Sequence, residues 1–227
     1  MSITDQYLNR QSAINAVSNL LNFASDISET YVRHGIDFST DVGRQNILLS
    51  AAQEHFFANE IRDVVGDCRN DGRTGEPDII IDSLGGKEVE CKVVCKGKQG
   101  SWHLQADRTC LGVDGKSLDF LYLLFDRTYD NVGVLLFKDL TFDDYKKPSP
   151  GSRGKSRMNK STAFKKCIPL IGGFFDKRER YLQKYADDIS NAQTDYELKV
   201  AKEKLELWEG KPSQISIVLE SIDELTR

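Results

Sequence analysis

Apolar positions in the first third of the chain recur at close to a 3.6-residue spacing, then give way to short, dense runs. That change of period predicts helices followed by strands. Across residues 5–33, Ile14, Val17, Leu20, Leu21, Phe23 and Ile27 fall near one helical period, and Gly35 punctuates the end. A second helix is expected from Thr40 or Asp41, either of which can cap it. It carries Ile47, Ala51, Phe57, Ile61 and Val65 on a core face, and Gly66 ends it. Residues 78–82 are rich in β-branched side chains, Leu84-Gly85-Gly86 is a tight-turn signal, and residues 87–94 form the return strand. The runs at 117–125 and 132–137 read as central strands covered on both faces. A short helix fits residues 141–145, one or two strongly charged helices fit residues 176–209, and ISIVL at 215–219 suits either type. No fixed repeat is present. Helices, sheet, then helices predict an α/β (α+β) fold: a mixed central sheet flanked by helices, with helical additions at both ends.

The bulk numbers narrow the function classes. The chain has 227 residues, 39% hydrophobic and 29% charged, a globular composition that fits one elaborated α/β domain. No apolar run approaches the ~20 residues of a membrane helix, and MSITDQYLNRQ has neither the basic nor the apolar region of a signal peptide. Five cysteines without a repeating spacing suggest reduced thiols, so a cytoplasmic protein without a membrane partner is expected. Net charge is −4, which weighs mildly against nucleic acid. Placement decides binding, however, and the stretch KKPSPGSRGKSRMNKSTAFKK at 146–166 carries eight cations and no acid.

The informative stretch is GEPDIIIDSLGGKEVECKVV, residues 75–94. Parity along the return strand places Glu88, Glu90 and Lys92 on one face and Val89, Cys91 and Val93 on the other. Glu90 and Lys92 are then same-face neighbours, roughly 7 Å apart at ~3.3 Å per residue. Asp78 opens the partner strand. Two neighbouring carboxylates repel, and a hard divalent cation such as Mg²⁺ uses that arrangement, taking one or two carboxylates and keeping several waters. With a lysine beside them, the set suits phosphodiester hydrolysis. It suits acyl transfer poorly, because no G-x-S-x-G elbow is present.

Pro77-Asp78, eleven intervening residues, then Glu90-Cys91-Lys92 resembles the PD-(D/E)xK motif of the nuclease superfamily that includes most type II restriction endonucleases. The resemblance implies a restriction-endonuclease-like sheet. It makes Asp78 and Glu90 metal-binding carboxylates, Lys92 the motif lysine and the Cys91 carbonyl a further ligand. It also implies a glutamate from a preceding helix, and QEHFFANE offers Glu54 or Glu60, of which Glu54 is preferred. The tripeptide alone is cheap, since Glu197-Leu198-Lys199 repeats it in a charged helix with no Pro-Asp upstream. The competing reading is a hairpin with one ordinary solvated face, Lys87, Glu88, Glu90 and Lys92.

Three segments are expected to meet DNA. The basic segment, read as a flexible loop, offers Arg153, Lys155, Arg157, Asn159 and Lys160. The polar stretch before the first strand offers Arg69, Asn70 and Arg73, and SWHLQADR offers His103 and Gln105. One domain is expected throughout, with an N-terminal helical part (1–40), a catalytic core (41–145), the basic loop (146–170) and a C-terminal helical part (171–227). The expected activity is Mg²⁺-dependent, site-specific cleavage of double-stranded DNA by a homodimer. The alternatives are a repair or junction-resolving nuclease of the same superfamily and a non-catalytic DNA-binding module.

Overall fold

The computed structural model describes residues 6–37, 41–70, 77–98, 100–107, 117–148 and 154–225. Two compact units emerge, Met1–Gly173 with Leu219–Arg227, and Phe174–Val218.

In the first unit, α1 (Arg10–Arg33) starts at Asn9, whose side chain accepts from the Ser12 amide. α2 (Val42–Val65) starts at Asp41, which accepts from the Arg44 amide and leaves fewer orphan N–H groups at the helix start. β1 (Ile79–Ile81) and β2 (Lys87–Cys95) are joined by one 3₁₀ turn and two glycines, Gly85 and Gly86, at φ 71° and 75°, where a side chain would be strained. β3 (Gln105–Asp107), β4 (Leu118–Phe125), β5 (Asn131–Leu140), β6 (Lys155–Arg157), α3 (Lys160–Ala163) and β7 (Cys167–Ile171) follow. Past the second unit the chain returns as β10 (Glu220–Ser221) and α6 (Ile222–Leu225).

The main sheet runs β1-β2-β4-β5-β10, with β7 also on β5. The β2–β4 pair is parallel and the other pairs are antiparallel, so the sheet is mixed and flanked by helices. All eight residues of β4 are buried, as expected of a strand covered on both faces. Leu121, Leu123 and Phe125 join a core with Val17, Leu20, Phe57 and Ile61 from α1 and α2. On the opposite face Tyr122 and Phe137 meet edge to face, as do Phe137 and Phe164, while Phe120 tilts against Tyr145. At Gly133 a Cβ would stand 2.8 Å from Leu219 Cδ2, so a side chain there would require the Leu219 side chain to move. Among the described residues, no helix is long and apolar enough to cross a membrane, and Cys68, Cys91, Cys95 and Cys167 are free thiols.

Two expectations need correction. Ile47 is 73% exposed and Ala51 is exposed, whereas Leu49, Ala52, Phe57, Ala58 and Ile61 are buried. The consecutive apolar residues Ile47, Leu48 and Leu49 leave the periodicity undecided, and the large anchors Phe57 and Ile61 select the face containing Leu49. The basic segment also differs from the flexible loop expected of it. Its residues 154–166 form β6 and α3, because Ser156, Met158, Ala163 and Phe164 are buried while Lys155, Arg157, Lys165 and Lys166 stay exposed.

The second unit contains β8 (Gly173–Asp176), α4 (Lys177–Asn191), α5 (Asp195–Glu209) and β9 (Ile215–Val218), with β8 and β9 paired. The ISIVL segment is therefore a strand. Asp176 caps α4 through the Arg178 amide and also accepts from the Gln214 amide, tying the helix start to the approach to β9. A Thr194–Glu197 capping box starts α5. The hairpin is held by stacking of Tyr181 on Trp208, with ring centroids 4.2 Å apart.

Candidate active site

The β1–β2 register is Ile79 to Val89, Ile80 to Glu88 and Ile81 to Lys87. Ile79, Ile81, Val89 and Cys91 turn into the core, which leaves the other parity for polar residues. One step beyond the ladder, Asp78 falls opposite Glu90. Here the first strand leaves its pairing, and Asp78 Oδ2 accepts the Cys91 N–H at 2.7 Å. Next along β2, Lys92 Nζ pairs with Glu90 Oε1 at 2.5 Å. Glu90 is only 5% exposed, so this is not the solvated face of an ordinary hairpin. A charge so placed needs a partner at hand.

Glu54 reaches the same group from α2, whose buried residues Phe57, Ala58 and Ile61 share a core cluster with Cys91. Burial, then the charges of Asp78 and Glu90, push the Glu54 carboxyl up to about 7, against the opposing pull of Lys92. Asp78 is also raised, by burial first and Glu90 second, with the Cys91 amide and Lys92 opposing. The fully buried Cys91 thiol is held neutral by burial and by the charges of Asp78, Glu54 and Glu90. Three carboxyl groups and one ammonium thus share one electrostatic neighbourhood. Glu60 does not belong to it. Its carboxylate accepts from Asn15 Nδ2 at 3.2 Å, and its pKa is raised by burial first, against the pull of Asn15, and then by the charge of Asp63. Six residues along a helix is about 600° of rotation, which turns Glu60 away from Glu54.

The donor set fits a hard divalent cation. Oxygen ligands predominate, and their mutual repulsion is what such an ion relieves. Among the described residues, no three His, Cys, Asp or Glu side chains already stand as a ligating group. Mg²⁺ needs only one or two carboxylates and fills its remaining positions with water. Asp78, Glu90 and the Cys91 carbonyl are the groups that would hold it.

The residues expected at DNA fall at several places in the fold. Gln105, Lys155 and Arg157 come together, since β3 and β6 pair with Gln105 opposite Arg157 and Asp107 opposite Lys155. This ribbon is anchored by Tyr122 Oη donating to the Gln105 carbonyl at 3.0 Å. Tyr122 is the β4 residue in register with Lys92, so the ribbon that carries the exposed Lys155 and Arg157 is anchored beside the Lys92 position of the sheet. Asn159 and Lys160 follow at the start of α3. Asn159 accepts from Ser161 Oγ, and burial lowers the Lys160 pKa. Arg69 pairs its backbone with Ile80 and its guanidinium with Asp82 at 2.9 Å, at the turn end of β1. Asn70 follows it, half-buried. His103 is exposed and shares a hydrogen bond with Ser101 Oγ. It is not among the causes of the shifts at Glu54 or Asp78. Arg73 and Arg153 lie outside the described residues.

Two features escaped the sequence. Gln53, fully buried beside Glu54, donates to the Leu121 carbonyl at 3.1 Å and so pins α2 to the central strand. Asp119 is fully buried in β4. It receives Tyr7 Oη at 2.6 Å, Lys87 at 2.9 Å, Lys138 at 2.7 Å and the Asp139 amide at 2.7 Å. The visible signal was an aspartate inside the apolar run SLDFLYLLF. No family model matches the chain, and no curated protein sequence matches it.

Proposed function

We propose that the chain is a Mg²⁺-dependent, site-specific endonuclease of the PD-(D/E)xK kind, with a restriction-endonuclease-like fold, that hydrolyses phosphodiester bonds of double-stranded DNA. The observation that carries this reading is the convergence of Glu54, Asp78, Glu90 and Lys92 from one helix and two strands, with Asp78 bonded to the Cys91 amide, Lys92 paired with Glu90, and the Glu54 and Asp78 carboxyls raised by burial and by their neighbours' charges. Four groups so separated in sequence and so costly to hold together are expected where chemistry is done.

Asp78, Glu90 and the Cys91 carbonyl would bind the cation, which when bound stabilises charge developing on the phosphodiester and lowers the pKa of a water. Lys92, oriented by Glu90, donates to the attacking water and fixes its line of approach. Glu54, with its pKa near neutrality, accepts a proton at the pH where the reaction runs. The buried Cys91 thiol stays neutral beneath the site and adds no competing nucleophile. The β3–β6 ribbon supplies Lys155 and Arg157 to phosphates on the active-site face. One such site cuts one strand, so a symmetric duplex site calls for a homodimer.

Incubation with phage DNA and Mg²⁺ is the test. Discrete fragments support the proposal. Cutting of branched substrates alone would assign a junction resolvase, and binding without cutting would leave a DNA-binding module.

A further inference from the structure

The second unit carries a surface that the proposed chemistry does not use. Along α4, Lys177, Arg180, Tyr181 and Lys184 stand at i, i+3, i+4 and i+7, one stripe of the helix. With Phe175 from β8 they enclose a cavity of about 380 Å³, lined by three cations, two aromatic rings and no carboxylate. All three cations are exposed, and none has a carboxylate partner among the described residues. By contrast, Arg178 pairs with Glu179 and bonds the Glu209 carbonyl, and Lys199 faces Glu203.

The aromatic rings hold this stripe in place. The Arg180 guanidinium lies 4.8 Å from the centre of the Phe175 ring, and Tyr181 stacks on both Trp208 and Tyr185. Lys211 sits over the other part of this cluster, 3.9 Å from the Trp208 centroid. Lys177 also occupies the first turn of α4, between the cap Asp176 and Glu179, where the helix dipole disfavours positive charge. The stripe ends at Lys184, and the next turn carries Asp187 and Asp188, so the cationic surface is bounded.

We infer that the Phe174–Val218 unit is a second nucleic-acid-binding element, in which Lys177, Arg180 and Lys184 hold successive phosphates of duplex DNA. Phe175 and Tyr181 form the apolar floor against the sugar edge. The choice of duplex DNA among polyanions rests on the nuclease reading, whereas the anionic character of the ligand rests on the cavity. Contacts of this kind add affinity without sequence information.

The experiment uses the full chain with Asp78→Ala, so that binding is read without cleavage, and a fluorescent random-sequence duplex followed by anisotropy across salt concentrations. Adding Lys177→Ala, Arg180→Ala and Lys184→Ala together is expected to weaken binding about tenfold or more. The slope of log K against log salt is expected to fall by about 2.7, three phosphate contacts at about 0.9 each. Lys177→Arg with Lys184→Arg should keep the wild-type slope. Unchanged affinity and slope in the triple variant would overturn the inference, as would a loss seen only on phosphatidylserine vesicles. The two readings fail separately. Cleavage by wild type with an unchanged triple-variant slope removes only this surface, and absent cleavage with a reduced slope removes only the nuclease.

Discussion

Replacing Glu54 by glutamine tests the electrostatics of the proposed active site most directly, because it should make the protein more stable while disabling the proposed chemistry. The Glu54 carboxyl ionises at about 7 against an ordinary 4.5, through burial and the charges of Asp78 and Glu90. At about 1.4 kcal/mol per pH unit this is at most about 3.4 kcal/mol. Glu54 keeps part of its surface in water, and screening reduces the figure to about 1–2 kcal/mol. The sign follows from linkage: a raised native pKa means the folded chain holds its proton more tightly than the unfolded one. Stability from this group is complete below pH 4.5, falls between pH 4.5 and 7, and is lost above. Glu54→Gln therefore gains nothing at pH 4.5 and gains the full amount at pH 8, a rise in Tm of about 3–6 °C for a chain of this size. Thermal unfolding in chelator at both pH values measures it. Millimolar Mg²⁺ should then raise the wild-type Tm at pH 8 more than that of the variant, because the ion removes the repulsion that glutamine has already removed. Cleavage by Glu54→Gln should fall about a hundredfold or more. An equal gain at both pH values, or none at pH 8, would show that Glu54 does not share its site with Asp78 and Glu90.

Asp78→Ala and Lys92→Ala should each abolish cleavage while duplex binding persists. A gel assay of plasmid nicking that found wild-type rates in either would unseat the assignment. Lys155→Ala with Arg157→Ala should weaken duplex binding and lower its salt slope by about 1.8, two phosphate contacts at about 0.9 each. An unchanged slope would remove the β3–β6 ribbon from the interface. Asp119→Ala leaves Lys87 and Lys138 without the buried carboxylate they share and should cost about 3–5 kcal/mol in urea unfolding. Stability within error of wild type would mean those lysines re-solvate freely.

The hairpin was legible because its information is local. Alternation settles which residues share a face and the glycine pair settles where the chain reverses, whereas the register that sets Asp78 opposite Glu90 depends on the 3₁₀ turn at Asp82–Leu84, which the sequence did not show. The same locality explains the helix contribution. Glu54 and Glu60 are equivalent as letters, and only the docking of Phe57 and Ile61 on the sheet turns one toward the strands and the other toward Asn15. The two central runs were legible for another reason. A strand apolar on both parities must be covered on both sides, and β4 is.

What stayed hidden depends on partners brought from elsewhere in the chain. Asp119 is a lone acid in an apolar run, and its meaning lies in Tyr7, Lys87 and Lys138, which come from three other segments. The basic segment was misjudged because its charges were counted and its alternation was not. Lys155, Ser156, Arg157 and Met158 run exposed, buried, exposed, buried, the period of a half-buried strand. Once that period is recognised, Lys155 and Arg157 stop being points on a free loop. They become side chains fixed to one face of a ribbon that Tyr122 anchors beside the Lys92 register position. A loop would lose conformational entropy on meeting DNA, and a preformed ribbon loses less. In the proposed nuclease its cations would therefore position a phosphate for the site as well as attract it.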